Sequence, residues 1–211
     1  METVDDEFVA GALDFMERKR RENQPMFLWV NASRMHFRTH VPETYRGRSG
    51  LNFYADGMLQ HDDHVGQILK KIDDLGMTND TIVIYGTDNG PHYNDCPDAG
   101  ITPFRSEKNS NWEGAFRTPC AVRWPGRIAP GSVSNNIFSN LDWFPTLVAA
   151  AGDDGIKDKL KAGFATQGRT YKVHLDGYNQ LPVLTGRTTE PQRREFYYFN
   201  DDGAMVAMRY D

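Results

Sequence analysis

Val4, Phe8, Ala12 and Phe15 recur at helical spacing and give way to Glu17-Arg18-Lys19-Arg20-Arg21, which predicts an amphipathic helix over residues 3–21 with a solvated basic end. Pro25-Met26-Phe27-Leu28-Trp29-Val30-Asn31 is short and almost wholly apolar, the signature of a fully buried strand. A polar connection from Ala32 to Gly50 follows. From Met58 to Leu75 the positions Val65, Ile68, Leu69, Ile72 and Leu75 keep a 3.6-residue period, and Gly76 supplies the stop.

Thr81-Ile82-Val83-Ile84-Tyr85-Gly86-Thr87 predicts a second strand, buried and parallel, that ends abruptly at Asp88-Asn89-Gly90. A long loop rich in Gly, Pro, Asn and Asp runs from Gly90 to Phe116, and such loops in compact domains tend to carry function. Thr118 to Pro125 predicts a third short strand, with Cys120 at its buried start. A helix over Phe138 to Ala151 is expected to turn Leu141, Phe144, Leu147 and Val148 inward, with Pro145 early in it and Gly152 as its cap. Three strands separated by helices imply a parallel sheet with helices on both faces. Beyond Gly152 the composition shifts to Lys, Asp, Gly and Thr. Phe196 to Phe199 and Ala204 to Tyr210, on either side of Asn200-Asp201-Asp202-Gly203, predict a β-hairpin.

Composition narrows the function classes. In 211 residues, 29 acidic and 24 basic side chains are interspersed for a net charge of −5, so the basic stripe that nucleic-acid binding needs is missing. No apolar run approaches the roughly 20 residues that span a bilayer, and the first twenty residues run acidic then basic, the reverse of a signal peptide. The two cysteines, Cys96 and Cys120, have neither the spacing nor the context of a disulfide framework and are expected to be free thiols.

Candidate chemistry gathers at the end of the second strand, where open α/β sheets place their sites. Asp88 and Asn89 offer a carboxylate and an amide oxygen, hard donors that suit Ca²⁺ or, less well, Mg²⁺, although Asp-Asn-Gly is also a good turn sequence. Lys108 lies in a loop at the same inferred edge. There it either binds a doubly charged oxyanion beside a metal or is simply solvated. His36 can protonate a departing oxygen near neutral pH, with His40, His61, His64, His92 and His174 as competitors. His61-Asp62-Asp63-His64 has the look of a metal cluster, but its helical register assigns these residues a solvated or capping role. Glu113 and Arg117 are expected to form an ion pair or loop clamp.

These pieces in order resemble a type I sulfatase of the alkaline-phosphatase-like superfamily. The resemblance is carried by Asn31-Ala32-Ser33-Arg34-Met35-His36 with Pro42 after it, Tyr54-Ala55-Asp56-Gly57-Met58, Thr87-Asp88-Asn89-Gly90, Lys108-Asn109-Ser110-Asn111-Trp112-Glu113-Gly114-Ala115-Phe116-Arg117-Thr118-Pro119, and Leu141-Asp142-Trp143-Phe144-Pro145-Thr146-Leu147. It implies an α/β fold with a parallel or mixed sheet sandwiched by helices, present here incompletely, followed by the start of a smaller antiparallel C-terminal region. The implied division is a catalytic-domain portion over 1–152 and a connecting and C-terminal portion over 153–211.

By the same resemblance the substrate is a sulfate ester, either a small molecule or a sulfated glycan. Asp88 and Asn89 would be two calcium ligands, Lys108 would hold a sulfate oxygen, and His36 would hold sulfate and assist the leaving group. Similar enzymes are often periplasmic, secreted or lysosomal. The family's nucleophile, a formylglycine made from cysteine in a Cys-x-Pro-Ser-Arg motif, has no counterpart at Cys96 or Cys120, and the family's first-strand pair of aspartates is also missing. The chain is therefore expected to hold the later half of a catalytic domain, to turn over nothing alone, and to expose an unpaired sheet edge. Ala115 stands where the second glycine of Glu-Gly-Gly-x-Arg is usual, which is expected to tighten or distort that turn. A phosphodiesterase or phosphotransferase of the same superfamily is the alternative, although those two-metal enzymes tend to carry Asp-His where this chain has Asp88-Asn89. A non-catalytic remnant is the third.

Overall fold

The computed structural model describes residues 1–210 as two compact units, dividing between Val122 and Arg123. In chain order the elements are α1 (Val4–Arg21), α2 (Phe53–Asp74), β1 (Val83–Gly86), α3 (Glu113–Phe116), β2 (Cys120–Arg123), α4 (Trp143–Ala150), α5 (Ile156–Ala162), β3 (Phe164–Thr166), β4 (Arg169–Tyr171), α6 (Leu181–Leu184), β5 (Glu195–Phe199) and β6 (Met205–Tyr210). The strands form three two-stranded sheets, β1 with β2, β3 with β4 and β5 with β6.

In the first unit α1 packs along α2, but its buried stripe is Asp5, Val9, Ala12 and Met16, and Phe8 is exposed. The inward face is thus rotated by one residue from the apolar pattern, because Asp5 is pinned inside. Its carboxylate accepts the Ser33 and Arg34 N–H groups at 2.8 and 3.2 Å and pairs with the Arg34 guanidinium at 3.6 Å. Arg34 Nε in turn donates to Gln60 Oε1 on α2 at 3.0 Å, and Nη2 donates to the carbonyls of Glu2 and His40. One buried guanidinium therefore ties α1, α2 and the 33–40 loop together.

The deepest positions of α2 are Asp56, Gly57, Gln60, His64 and Ile72, while Val65, Ile68 and Leu69 are only half-buried. Asn52 caps the helix by accepting the Ala55 N–H at 2.8 Å, which starts it ahead of Met58. Asp56 accepts the Gly47 and Ser49 N–H groups, and the Ser49 hydrogen bonds hold its carboxyl below the usual range. Gly57 gives room to the Met35 side chain: a Cβ there would stand 2.3 Å from Met35 Sδ and 3.1 Å from Val41, so the thioether would have to shift. Closeness at this glycine seats the Met35-His36 turn against the helix.

Residues 25–31 are not the buried strand expected. They join no ladder, and Phe27 and Trp29 are 70% and 76% exposed, whereas Met26, Leu28 and Val30 are half-buried. The alternation has the period of a strand, but a strand needs partners for its backbone, and among the described residues none pairs with it. β1 is correspondingly half-buried at Val83 and Ile84 and exposed at Tyr85 and Gly86, instead of buried throughout. Cys120 opens β2 but is exposed, and both thiols are free as expected.

The second unit is organised by Asp142, which has no exposed surface. A 3₁₀ turn over Asn140–Asp142, closed by a Ser139–Asp142 capping box, precedes α4. Gly177 packs so tightly there that a Cβ would lie 2.0 Å from the Leu141 carbonyl oxygen. Leu141 and Phe144 face solvent, contrary to the expected inward stripe, and Pro145, Thr146 and Ala149 are buried in their place. The polar stretch after Gly152 is helix α5 followed by the hairpin β3–β4, with Phe164 opposite Tyr171. The terminal hairpin forms as predicted, antiparallel, with Tyr197 opposite Met208 and a bulge at Tyr198/Phe199.

Candidate active site

β1 ends at Gly86, and the next four residues form a turn at its carboxyl end. The Thr87 hydroxyl donates to the Asn89 carbonyl at 3.1 Å, and Asn89 Nδ2 donates to the Gly90 carbonyl at 2.9 Å. These bonds use the nitrogen of the Asn89 amide and leave Oδ1 without a donor. Asp88 is exposed.

The approach of a second loop to this turn depends on two glycines. Gly90 N–H donates to the Ala115 carbonyl at 2.7 Å, and a Cβ on Gly90 would stand 1.7 Å from the Gly114 carbonyl oxygen. Gly114 N–H donates to the Arg105 carbonyl at 2.8 Å, and a Cβ there would meet the Ser106 carbonyl oxygen at 1.8 Å. Ala115, by contrast, sits buried within α3 and donates to the Trp112 carbonyl at 2.9 Å. Arg117 and Glu113 pair at 3.2 Å across the same turn of helix, the clamp the sequence predicts.

Lys108 is held in this frame by its backbone. Its N–H donates to the Pro91 carbonyl at 2.9 Å, two residues beyond Asn89. The neighbouring Glu107, 9% exposed, accepts the Tyr93 N–H at 2.7 Å, the Asn94 N–H at 3.3 Å and Asn94 Nδ2 at 2.8 Å. Asp88, Asn89 and Lys108 are therefore gathered on loops stitched together at residues 90–94. The Lys108 ammonium makes no ion pair among the described residues.

His36 belongs to a turn closed by its own N–H donating to the Ser33 carbonyl at 2.9 Å. Its ring lies against Phe37, with centroids 4.5 Å apart, and it lines a cavity of about 170 Å³ walled on the far side by residues 95–98. The loop that leaves Asn89 thus serves both places: its first part holds Lys108, and its later part faces His36. Four of the competing histidines are already engaged. His61 bonds the Tyr85 hydroxyl at 3.1 Å, His64 the Asp6 carboxylate at 2.7 Å, His92 the Asp95 carboxylate at 2.7 Å and His174 pairs with Asp176 at 3.4 Å. His61 and His64 are consequently neither solvated nor capping; they join α2 to β1 and to α1. Burial pushes the His61 imidazole below its ordinary range.

The donor chemistry can be tested directly. Asp88 and Asn89 present two hard oxygens with open lone pairs, as Ca²⁺ requires, and Ca²⁺ takes 6–8 such ligands. Among the described residues no three His, Cys, Asp or Glu side chains converge on a single point, and Asp88 and Asn89 offer two oxygens. Among the described residues no helix is long and apolar enough to cross a membrane.

A family model of the sulfatases matches residues 1–153. The chain belongs to the sulfatase family. Human arylsulfatase A is 32% identical to this sulfatase chain over 192 residues, which cover 90% of the chain and 35% of the relative. Human N-acetylgalactosamine-6-sulfatase is 30% identical over 203 residues, 95% of the chain and 35% of the relative. The crystal structure of the PsFucS1 sulfatase from Pseudoalteromonas sp. superposes with a TM-score of 0.87 at 23% identity, covering all of this chain and 40% of that one. The fold is therefore the alkaline-phosphatase-like α/β fold of the sulfatases, and the chain spans about a third of the length of the curated relatives it matches.

Asp88, Asn89, Lys108 and His36 were candidates in the sequence, which showed nothing of the buried groups that hold the turn bearing His36. Arg34 and Asp5 carried no chemical signature on their own. The signal that could have found them is a charged pair flanked by apolar residues, at Asp5 beside Val4 and Arg34 beside Met35.

Proposed function

We propose that this chain contributes to hydrolysis of sulfate esters. The observation that supports the reading is the Lys108 N–H to Pro91 carbonyl bond, which joins the backbone of the lysine's loop to the segment that follows Asp88 and Asn89. Two hard oxygens and a fixed cation suit a doubly charged oxyanion and the ion that accompanies it. The names of the relatives, an arylsulfatase and an N-acetylgalactosamine-6-sulfatase, support sulfate on an organic hydroxyl as the group acted on.

In this reading Asp88 and the Asn89 amide oxygen hold Ca²⁺, with Mg²⁺ the poorer fit, and the bound ion supplies charge neutralisation for the sulfate oxygens. Lys108 holds a sulfate oxygen through its ammonium. His36 donates its proton to the ester oxygen that leaves. Neither Cys96-Pro97-Asp98 nor Cys120-Ala121-Val122 is a Cys-x-Pro-Ser-Arg context, so the chain offers binding groups and an acid but no nucleophile, and alone it turns over no ester. The metal pair, His36 and Lys108 come from 1–152, the catalytic portion. A periplasmic or secreted location fits the resemblance alone.

Calorimetric titration of the chain with Ca²⁺ tests the metal assignment. Binding on the order of millimolar is expected from so incomplete a shell, and Asp88→Ala should abolish it. Binding unchanged by that substitution sinks the assignment. The reaction is tested with a longer form that includes a Cys-x-Pro-Ser-Arg segment: it should hydrolyse 4-nitrophenyl sulfate, and hydrolysis of phosphate diesters in its place would favour the two-metal alternative.

A further inference from the structure

Lys108 stands between two residues in the left-handed backbone region, Ser106 at φ 67° and Asn109 at φ 65°. Residues with a side chain adopt this region rarely, and they persist there only where their surroundings enforce it. Three attachments hold the backbone of the segment. Ser110 Oγ donates to the Glu107 carbonyl at 2.6 Å, the Lys108 N–H donates to the Pro91 carbonyl at 2.9 Å, and the Ser106 carbonyl oxygen fills the place that a Cβ of Gly114 would take.

The fourth attachment is the Glu107 side chain. In the turn over residues 92–96 the Asp95 and Cys96 N–H groups donate to the His92 carbonyl, so the Tyr93 and Asn94 N–H groups at its start need a partner from elsewhere. Glu107 Oε2 takes both, at 2.7 and 3.3 Å, and Oε1 takes Asn94 Nδ2 at 2.8 Å. A buried carboxylate keeps such donors closely, because without them it bears the full cost of leaving water. Whatever displaces Glu107 therefore displaces the backbone of the next residue, which is Lys108.

We propose that Glu107 is the positioning residue of Lys108: its carboxylate, closed over the start of the 92–96 turn, fixes the backbone from which the lysine side chain extends and so sets how tightly that side chain holds an oxyanion. The proposal deepens the sulfatase reading, in which Lys108 holds a sulfate oxygen, and rests on it for the ligand.

Two substitutions separate position from charge. In Glu107→Gln the new amide nitrogen takes the place of Oε1 and meets Asn94 Nδ2, donor against donor, and in Asn94→Asp two carboxylates meet. Combining them restores a donor–acceptor pair and returns the net charge to that of the unaltered chain. Hydrogen exchange followed by ¹⁵N NMR reports the backbone, and a dispersed spectrum shows that each variant is folded. The Lys108 amide should exchange at least about tenfold faster in each single variant and near its original rate in the double one.

Binding of inorganic sulfate at constant ionic strength reports the side chain. The lysine amines are reductively methylated with ¹³C-formaldehyde, which keeps their charge, and the Lys108 resonance is assigned by its loss in Lys108→Arg. Sulfate affinity at that resonance should fall about tenfold in Glu107→Gln and recover in the double variant. The sign is decisive: removal of a negative charge strengthens anion binding unless position is lost.

Unchanged Lys108 exchange in Glu107→Gln, exchange that the double variant does not restore, or sulfate held by Glu107→Gln as tightly as by the unaltered chain overturns the proposal. Exchange that responds as expected in a chain whose Lys108 resonance ignores sulfate upholds the positioning and sinks the sulfate-holding role of Lys108 in its place.

Discussion

Two aspartates, each beside a sequence motif of the family, are treated in opposite ways. Asp142 in the second unit is fully buried, and its carboxylate takes bonds from Arg193 Nη2 and the Tyr178 N–H, both at 2.7 Å, and from Gln180 Nε2 and the Ser139 N–H, both at 3.0 Å. Asp88 in the first unit is exposed, and its one hydrogen bond among the described residues comes from the Thr87 hydroxyl at a long 3.4 Å. A carboxylate whose lone pairs are all answered by the protein has none for a ligand. Asp142 is thereby a structural device, which links Ser139, Tyr178, Gln180 and Arg193 across about fifty residues of sequence, and Asp88 is the one whose carboxylate the described residues leave open.

The contrast is broken most forcefully by exchanging burial for nothing. Asp142→Ala leaves the Arg193 guanidinium buried against Tyr178 with its main partner gone, and removal of one member of a buried pair costs about 3–5 kcal/mol. Urea unfolding should show a loss of that size, or no folded second unit. A loss below about 1 kcal/mol, the scale of surface pairs, would mean that Asp142 is as dispensable as an exposed acid.

A smaller loss is expected from Gly90→Ala. The added methyl has to displace the Gly114 backbone from 1.7 Å, an overpacking that costs about 1–3 kcal/mol. It separates the Asp88 turn from the Lys108 loop, so Ca²⁺ affinity should fall along with stability even though no ligand is touched. Unchanged affinity would show that the glycine contact does not place the site.

Asp88→Ala should change stability by no more than about 0.5 kcal/mol, as for an exposed side chain with a single long hydrogen bond, while eliminating Ca²⁺ binding. This separation of stability from binding is the sharpest statement of the comparison. Stability lost in the same measure as at Asp142 would place both aspartates in one structural class.

What the sequence could disclose follows the same line. Asp88 and Asn89 lie where the pattern changes abruptly, from an apolar run to a polar loop, and such an edge is visible in one dimension. The terminal hairpin was equally visible, because Asn200-Asp201-Asp202-Gly203 separates two apolar segments. The Asp5–Arg34–Gln60 and Asp142–Arg193 centres were not, since they join residues 26 to 51 positions apart and their charged members break the helical pattern that would mark a core. The strand expected at 25–31 shows the opposite failure: its pattern is that of a strand, but pairing is a property of neighbours, and Phe27 and Trp29 find none among the described residues. The helix α5 and hairpin β3–β4 were hidden by polar composition, their apolar members reduced to Ile156, Leu160 and Phe164.

The smallest effect concerns the histidines that the site does not use. His61 is held at Nε2 by the Tyr85 hydroxyl, and its Nδ1 is buried without a partner, so protonation inside the fold is disfavoured. Burial lowers its pKa from the ordinary 6.5, which means that below that pH the unfolded chain binds a proton that the folded chain resists. The stability associated with neutral His61 is therefore complete above the unfolded value and is lost as pH falls from there toward the folded one. Between about pH 7.5 and about pH 5.5 the Tm of the chain should fall further than that of His61→Gln, whose amide can still meet the Tyr85 hydroxyl but does not titrate. The difference between the two slopes isolates this residue from the other histidines and the carboxylates. Parallel slopes would mean that His61 takes up its proton in the folded state as readily as in the unfolded one, and that the α2–β1 contact is open to water.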